Sequence, residues 1–68
     1  MFVKINVIKY QGNQGSVVQL PVWINMYSVS YIDVSDPKKL VVHMAGETGS
    51  GLYVTDEESI NVLMSAVR

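Results

Sequence analysis

The sequence contains no cysteine and only one histidine among its 68 residues. Without cysteine the chain can form neither a disulfide nor a thiolate zinc site, and a single histidine excludes a histidine-rich metal cluster. Charge is scarce and balanced, with 5 basic and 6 acidic residues and a net charge of −1. Proteins that coat nucleic acid or mimic DNA carry a strong excess of one sign, so the composition argues against both classes.

Long apolar runs are also absent. No run approaches the roughly 20 residues that cross a bilayer, and the first ten residues lack the layout of a signal peptide. We therefore expect a complete cytoplasmic protein that begins at its own methionine and does not bind membranes. A chain of this length buries only about 60% of its unfolded surface, so we expect one domain over residues 1–68 with a weak core.

β-Branched residues are abundant: Val, Ile and Thr occur 12, 5 and 2 times. Their alternation with polar residues predicts strands over 1–9, 17–25, 29–34, 39–45 and 52–54, separated by turn residues. Pro21 has no N–H for a sheet hydrogen bond, so the second strand should lie at an edge or carry a bulge.

At the end of the chain the spacing of apolar residues changes from the two-residue alternation of strands to that of a helix. Thr55 and Glu58 have the spacing of a capping box, with Thr55 as the N-cap. The positions that follow place Ile60, Leu63, Met64 and Val67 on one apolar stripe. The chain therefore reads as an α+β protein, a small antiparallel β-meander of four or five strands with one C-terminal amphipathic helix.

One short helix can cover only one face of this sheet. The covered face is predicted to comprise Val3, Ile5, Val7, Val18, Leu20, Val22, Ile24, Ile32, Leu40, Val42, Met44 and Leu52. The opposite face then carries more apolar area than a soluble monomer usually exposes. Either the sheet closes into a small barrel that buries these groups, or they contact another chain, and we expect the second.

The predicted contact residues on that opposite face are Trp23, Tyr31, Val41, His43 and Tyr53. Trp23 is the expected anchor, because tryptophan is enriched among the residues that dominate binding energy. The expected partner is a second copy of the chain, another protein, or both. Self-association would also stabilise so small a core.

Two other functions use the same region. The loop formed by Gly46, Glu47, Thr48, Gly49, Ser50 and Gly51 has the spacing of a phosphate cradle but lacks the Lys and the helix that should follow. Its amides could still hold a nucleotide-like anion at a subunit interface, which would make the chain a ligand-sequestering protein. The exposed aromatics could also stack the bases of single-stranded RNA, although basic residues are too few to favour nucleic acid.

Catalysis is not indicated. His43 has no acid at catalytic spacing in its strand, and Asp33 and Asp36 flank a turn in which short carboxylates bond their own backbone. We therefore predict no enzyme activity, no cofactor and no metal.

Part of the chain resembles small FlbD/SwrD-type flagellar accessory proteins. The resemblance covers about two-thirds of the chain and is carried by Pro21–Asn25, Val29–Ile32, Lys39–Met44 and Leu52–Thr55, with Glu57, Glu58 and Ile60 at the helix start. It implies the strand, hairpin and helix architecture and a non-catalytic role. So compact a chain is also typical of an accessory protein of a phage or mobile element, one that binds a host protein.

Overall fold

The chain forms one antiparallel sheet and one C-terminal helix over the residues that the computed structural model describes, 1–11, 15–47, 49 and 51–67. The elements are β1 (Phe2–Gln11), β2 (Ser16–Asn25), β3 (Val29–Asp36), β4 (Lys39–Met44), β5 (Leu52–Val54) and α1 (Glu57–Ala66). A three-residue 3₁₀ helix, Met26–Ser28, joins β2 to β3. The predicted α+β class, with an antiparallel sheet and a terminal helix, is confirmed.

The strand order is β2-β1-β5-β4-β3, so β5 joins the β1–β2 hairpin to the β3–β4 hairpin. Strands β2 and β3 lie at opposite ends of this order, yet only three residues connect them, so Asn25 and Val29 are at most about 14 Å apart. The sheet must therefore curl to bring its two edges together at that point. The N–H of Met26 donates to the carbonyl of Met1, and the N–H of Ala45 donates to the carbonyl of Ser28, which ties the connection to both hairpins.

Both edge strands carry features that oppose pairing with further strands. Pro21 lies in the middle of β2, opposite Asn6. The N–H of Asn6 points away from β2, so Asn6 and Pro21 form a pair that exchanges no hydrogen bonds. In such a pair the backbone nitrogen of Pro21 faces the free edge of the sheet. The missing N–H of proline therefore costs no hydrogen bond within the sheet. Of the two alternatives predicted for β2, an edge position or a bulge, the structure shows the edge position. Strand β3 has two irregularities in its pairing with β4, and such bulges blunt an edge.

The core lies on the inner face of the curled sheet and comprises Ile5, Val7, Ile24, Leu40, Val42, Val54 and Leu63. Two predictions about this core were wrong. Leu20 is exposed, because β2 has a neighbouring strand on one side only. Val67 is exposed as well, because α1 ends at Ala66 and the apolar stripe loses its last member.

The predicted capping box was also wrong, by one residue. Asp56, not Thr55, is the N-cap of α1, and its Oδ2 accepts from the N–H of Ser59 at 3.0 Å. Both pairs have the spacing of an N-cap and its N3 residue, so the sequence alone does not separate them. Glu57 and Glu58 follow in the first turn, where the helix dipole favours negative charge.

Ser59 links the helix to the sheet. Strand β5 has three residues against ten in β1, so part of β1 has no strand beside it. There the N–H of Asn6 donates to Oγ of Ser59 at 2.8 Å, and Ser59 is only 3% exposed. The helix thus supplies the hydrogen bond that a longer β5 would have given. No helix within the described ranges is long and apolar enough to cross a membrane.

Candidate protein-binding surface

The outer face of the sheet, opposite the core, carries large apolar side chains in contact with solvent. Trp23 is 65% exposed, Phe2 is 62% exposed and Tyr31 is 57% exposed. A closed barrel that buries these groups, the first of the two alternatives from the sequence, is therefore excluded for the isolated chain. An aromatic side chain covers about 150–250 Å², so Phe2 and Trp23, which lie together on the β1–β2 hairpin, expose roughly 200–300 Å², close to the size of patch that marks binding sites. Tyr31 lies across the sheet on β3.

The first part of this face belongs to the β1–β2 hairpin. Its pairs place Lys4 directly opposite Trp23, with Phe2 and Pro21 at neighbouring positions on the same face. We call these four residues the Trp23 patch: Phe2, Lys4, Pro21 and Trp23. The alternation of each strand explains the arrangement, since even positions of β1 and odd positions of β2 share the outer face.

The second part belongs to β3, β4 and β5 and forms a shallow depression of about 420 Å³. We call it the Tyr53 depression; it is lined by Asp33, Ser35, Asp36, Lys39, Val41, His43 and Tyr53. Val41 pairs directly with Tyr53 across β4 and β5. Nζ of Lys39 lies 5.4 Å from the centroid of the Tyr53 ring, within the range of a cation–π contact.

His43 is half-buried beside this depression and stacks on Tyr31. The two residues are paired across β3 and β4, and their ring centroids lie 4.2 Å apart with an interplanar angle of 16°. Stacking holds the imidazole flat against the phenol. His43 is thus placed as part of an aromatic surface.

Gly51 allows β5 to begin close to these side chains. Its φ is +92°, and a Cβ there would lie 2.8 Å from Cγ1 of Val41 and 3.2 Å from Cε1 of His43. Any larger residue would meet both strain and a clash. The sequence had assigned this glycine to the anion-binding loop, whereas the structure gives it a packing role.

Each carboxylate of the depression accepts hydrogen bonds within its own turn. Oδ1 of Asp33 accepts from Oγ of Ser35 at 2.6 Å and from its N–H at 2.9 Å. These two bonds, the side-chain one first, lower the pKa of Asp33 below its ordinary value of 3.8. Oδ1 of Asp36 accepts from the N–H of Lys38 at 2.9 Å, as expected for a residue that opens a tight turn.

The structure brings four of the five predicted contact residues together. Tyr31, Val41, His43 and Tyr53 are neighbours across β3, β4 and β5. Trp23 lies apart from these four. Ile8 of β1 pairs with Tyr53 on one side and with Gln19 of β2 on the other, so Tyr53 and Gln19 are two strands apart. Trp23 is four residues farther along β2 than Gln19. With strands about 4.8 Å apart and about 3.4 Å per residue, Trp23 is roughly 16 Å from Tyr53.

The sequence reasoning missed the polar members of the depression. Lys39 has the same parity as Val41 and His43 on β4, so the alternation of that strand could have placed it on the outer face. Asp33 pairs with Val41 in the same regular register that places Tyr31 beside His43, so strand alternation could have placed it on the outer face as well. Ser35 lies in the stretch where the pairing of β3 with β4 shifts, which a single sequence does not reveal.

The glycine-rich loop is described only in part. Gly46 and Gly51 have positive φ, while Gly49 does not. Thr48 and Ser50, two of the predicted anion-binding residues, lie outside the described residues. Anion binding by this loop stays a prediction.

Another concave region, about 480 Å³, lies between the start of β1 and α1, with Met1, Val3, Val62 and Ala66 in its lining. A further one, about 370 Å³, lies between β3 and α1, with Tyr31, Ile32 and Met64 in its lining. In the part of the chain that the structure describes, no three His, Asp or Glu side chains lie together as a set of metal ligands.

Comparisons with protein-family models, with curated proteins and with solved structures find no match for this chain.

Proposed function

We propose that this chain is a small non-catalytic binding protein that acts through the outer face of its sheet and associates with itself there. The observation that carries the proposal is the exposure of Trp23, Phe2 and Tyr31 on one face of the sheet. Burying such side chains stabilises an assembly by about 25 cal/mol for each Å² of apolar area removed from water.

The edges of the sheet favour contact through the face. Pro21 interrupts the free edge of β2, and the bulges of β3 interrupt the other edge. Proteins use these devices to prevent strands of neighbouring molecules from pairing. Trp23 and Phe2 have no comparable feature that opposes association. The edges of the sheet are therefore protected from pairing with another chain, while the outer face is open to contact.

The available area suits a specific interface. A stable interface buries about 800 Å² on each partner, roughly one-sixth of the 4835 Å² that the described residues expose. Association would also add stability to a chain whose own core contains seven buried apolar residues. We favour a second copy of the chain as the partner, because a second copy is present wherever the protein is present.

The test is the mass in solution of the wild type, of Trp23→Ala and of a control, Tyr27→Ala. Tyr27 is 87% exposed but lies in the 3₁₀ connection, off the sheet face. We expect light scattering to show an oligomer for the wild type and for Tyr27→Ala, and a lone chain of about 7.5 kDa for Trp23→Ala. Far-UV circular dichroism should show α1 intact in all three. A wild type that stays monomeric at high concentration would contradict the proposal.

A further inference from the structure

The two parts of the outer face differ in shape. Trp23 projects from the Trp23 patch with most of its surface exposed, whereas the Tyr53 depression is concave. Its volume of about 420 Å³ falls in the range of pockets that hold compact ligands, of roughly 300–1,000 Å³. Val41, His43 and Tyr53 form the apolar and aromatic part of its lining, against which an aromatic side chain can pack, and polar or charged side chains form the rest.

The two parts also differ in charge. Lys4 lies directly across from Trp23, so a cation accompanies the projecting ring. The Tyr53 depression carries two carboxylates, Asp33 and Asp36, against the single ammonium of Lys39. The charge of the projecting part is therefore opposite to the net charge of the concave part.

Resting on the proposed self-association, we infer that copies of this chain associate head to tail, with the Trp23 patch of one copy seated in the Tyr53 depression of the next. Trp23 then lies against Val41 and Tyr53, and Lys4 faces Asp33 or Asp36. Both parts are on each copy but roughly 16 Å apart, by the strand spacing given above. One copy can thus use both at once. Two copies that make the contact twice close as a two-fold dimer, and copies that make it once at each junction form a ring or a filament.

A symmetric contact between two Trp23 patches fits less well. It brings Lys4 of each copy toward the same region. The hollow beside Lys4 is smaller, about 300 Å³, and its lining contains no aromatic side chain. Glu58 borders that hollow and offsets part of the positive charge of Lys4, which weakens the repulsion between the two Lys4 side chains. The main argument against the symmetric contact is therefore the lack of a hollow that fits Trp23.

The test is complementation between two defective variants of the full chain. Trp23→Ala loses the projecting ring and keeps the depression, while Val41→Lys fills the depression and keeps Trp23. Each variant alone should sediment as a single chain. An equal mixture should form a complex of two chains and no larger species, a two-fold rise in mass, because one intact patch and one intact depression make one contact.

Other outcomes overturn the inference. If Val41→Lys alone remains an oligomer and Trp23→Ala does not, the contact is symmetric through the Trp23 patch. If neither variant associates and the mixture stays monomeric while the wild type is an oligomer, self-association stands and the head-to-tail arrangement falls. A monomeric wild type removes the proposed function itself.

A second variant covers the case in which Val41→Lys fails to fold by circular dichroism. Asp36 is exposed, so Asp36→Lys loses the turn hydrogen bond from the N–H of Lys38 but no buried contact, and the sheet should stay folded while the charge of the depression is reversed. Asp36→Lys should weaken association, and mixing it with Lys4→Glu should restore wild-type mass, since each variant then meets an opposite charge. Association of Asp36→Lys at wild-type strength would contradict the role given to charge.

Discussion

The two faces of the sheet are similar in composition but differ in what covers them. The inner face buries Ile5, Val42 and Val54 together with Leu63 of α1. The outer face carries Trp23 and other apolar side chains of at least equal size in solvent. Hydrophobicity alone therefore does not tell which residues hold the fold. The inner face is needed for folding, and we expect the outer face to be needed only for association.

The largest effect on stability should come from Leu63→Ala. Leu63 is fully buried, and removing a buried leucine side chain costs about 2–5 kcal/mol. So small a domain has roughly 3–5 kcal/mol of stability, so urea unfolding followed by circular dichroism should show a variant that is largely unfolded. The control is Val67→Ala, on the same predicted stripe but exposed, which should change stability by less than about 0.5 kcal/mol. Equal losses for the two variants would mean that the helix does not pack through Leu63.

Ser59→Ala should have the second largest effect. The substitution leaves the partly buried N–H of Asn6 without its partner, which costs about 1–3 kcal/mol. The better helix propensity of alanine offsets about 0.5 kcal/mol of that loss. Ser65→Ala, exposed in the same helix, gains the propensity term alone and should be neutral or slightly stabilising. If Ser59→Ala loses no more stability than Ser65→Ala, the hydrogen bond between α1 and β1 does not stabilise the fold.

Asp56 gives a smaller effect that depends on pH. Burial raises the pKa of its carboxyl, but hydrogen bonds, chiefly from Ser59, lower it by more, so the net pKa lies below the ordinary 3.8. A lowered pKa means that the charged form stabilises the fold above about pH 4 and that this stability is lost as the pH falls through the folded pKa.

Asp56→Asn isolates this charge, because asparagine also caps helices well. The variant should cost less than about 1 kcal/mol at pH 7, and its difference from the wild type should be smaller at pH 2, because Asp56 loses its charge as the pH falls through its folded pKa. Urea titrations at both pH values measure the difference. A gap between the two proteins that is the same at pH 7 and at pH 2 would show that the charge of Asp56 is not coupled to folding.

The smallest effect on the stability of the single chain should come from Trp23→Ala. Trp23 faces solvent and pairs only with Lys4 across the strands, so its removal should cost less than about 1 kcal/mol at a concentration where the wild type is monomeric. At higher concentration the wild type should gain stability through association, and the variant should not. Thermal unfolding at several concentrations checks both statements. A variant already unfolded at low concentration would erase the difference between the faces.

Much of the fold could be predicted from the sequence, because alternation and turn residues act locally. Strand β5 was predicted with its observed bounds, and Pro21 identified β2 as an edge. What the sequence did not show depends on tertiary contacts. The exposure of Leu20 follows from the edge position of β2, and the role of Ser59 follows from the length difference between β1 and β5.

The candidate surface was predictable to a similar degree. Strand parity placed Val41 and Tyr53 side by side. The separation of Trp23 from them depends on the strand order, which one sequence does not reveal. Asp33 pairs with Val41 and has the parity of Tyr31, so alternation could also have placed it in the depression, whereas the irregular pairing after Asp33 hides the position of Ser35.

The central claim is that another copy of the chain covers the outer face. Trp23 is the only tryptophan in the sequence, so the fluorescence emission of the unmodified protein reports on this side chain alone. We predict that emission lies at shorter wavelength in concentrated protein, where Trp23 is covered, and moves to longer wavelength on dilution as the copies separate. Emission typical of an exposed tryptophan at every concentration would contradict the claim.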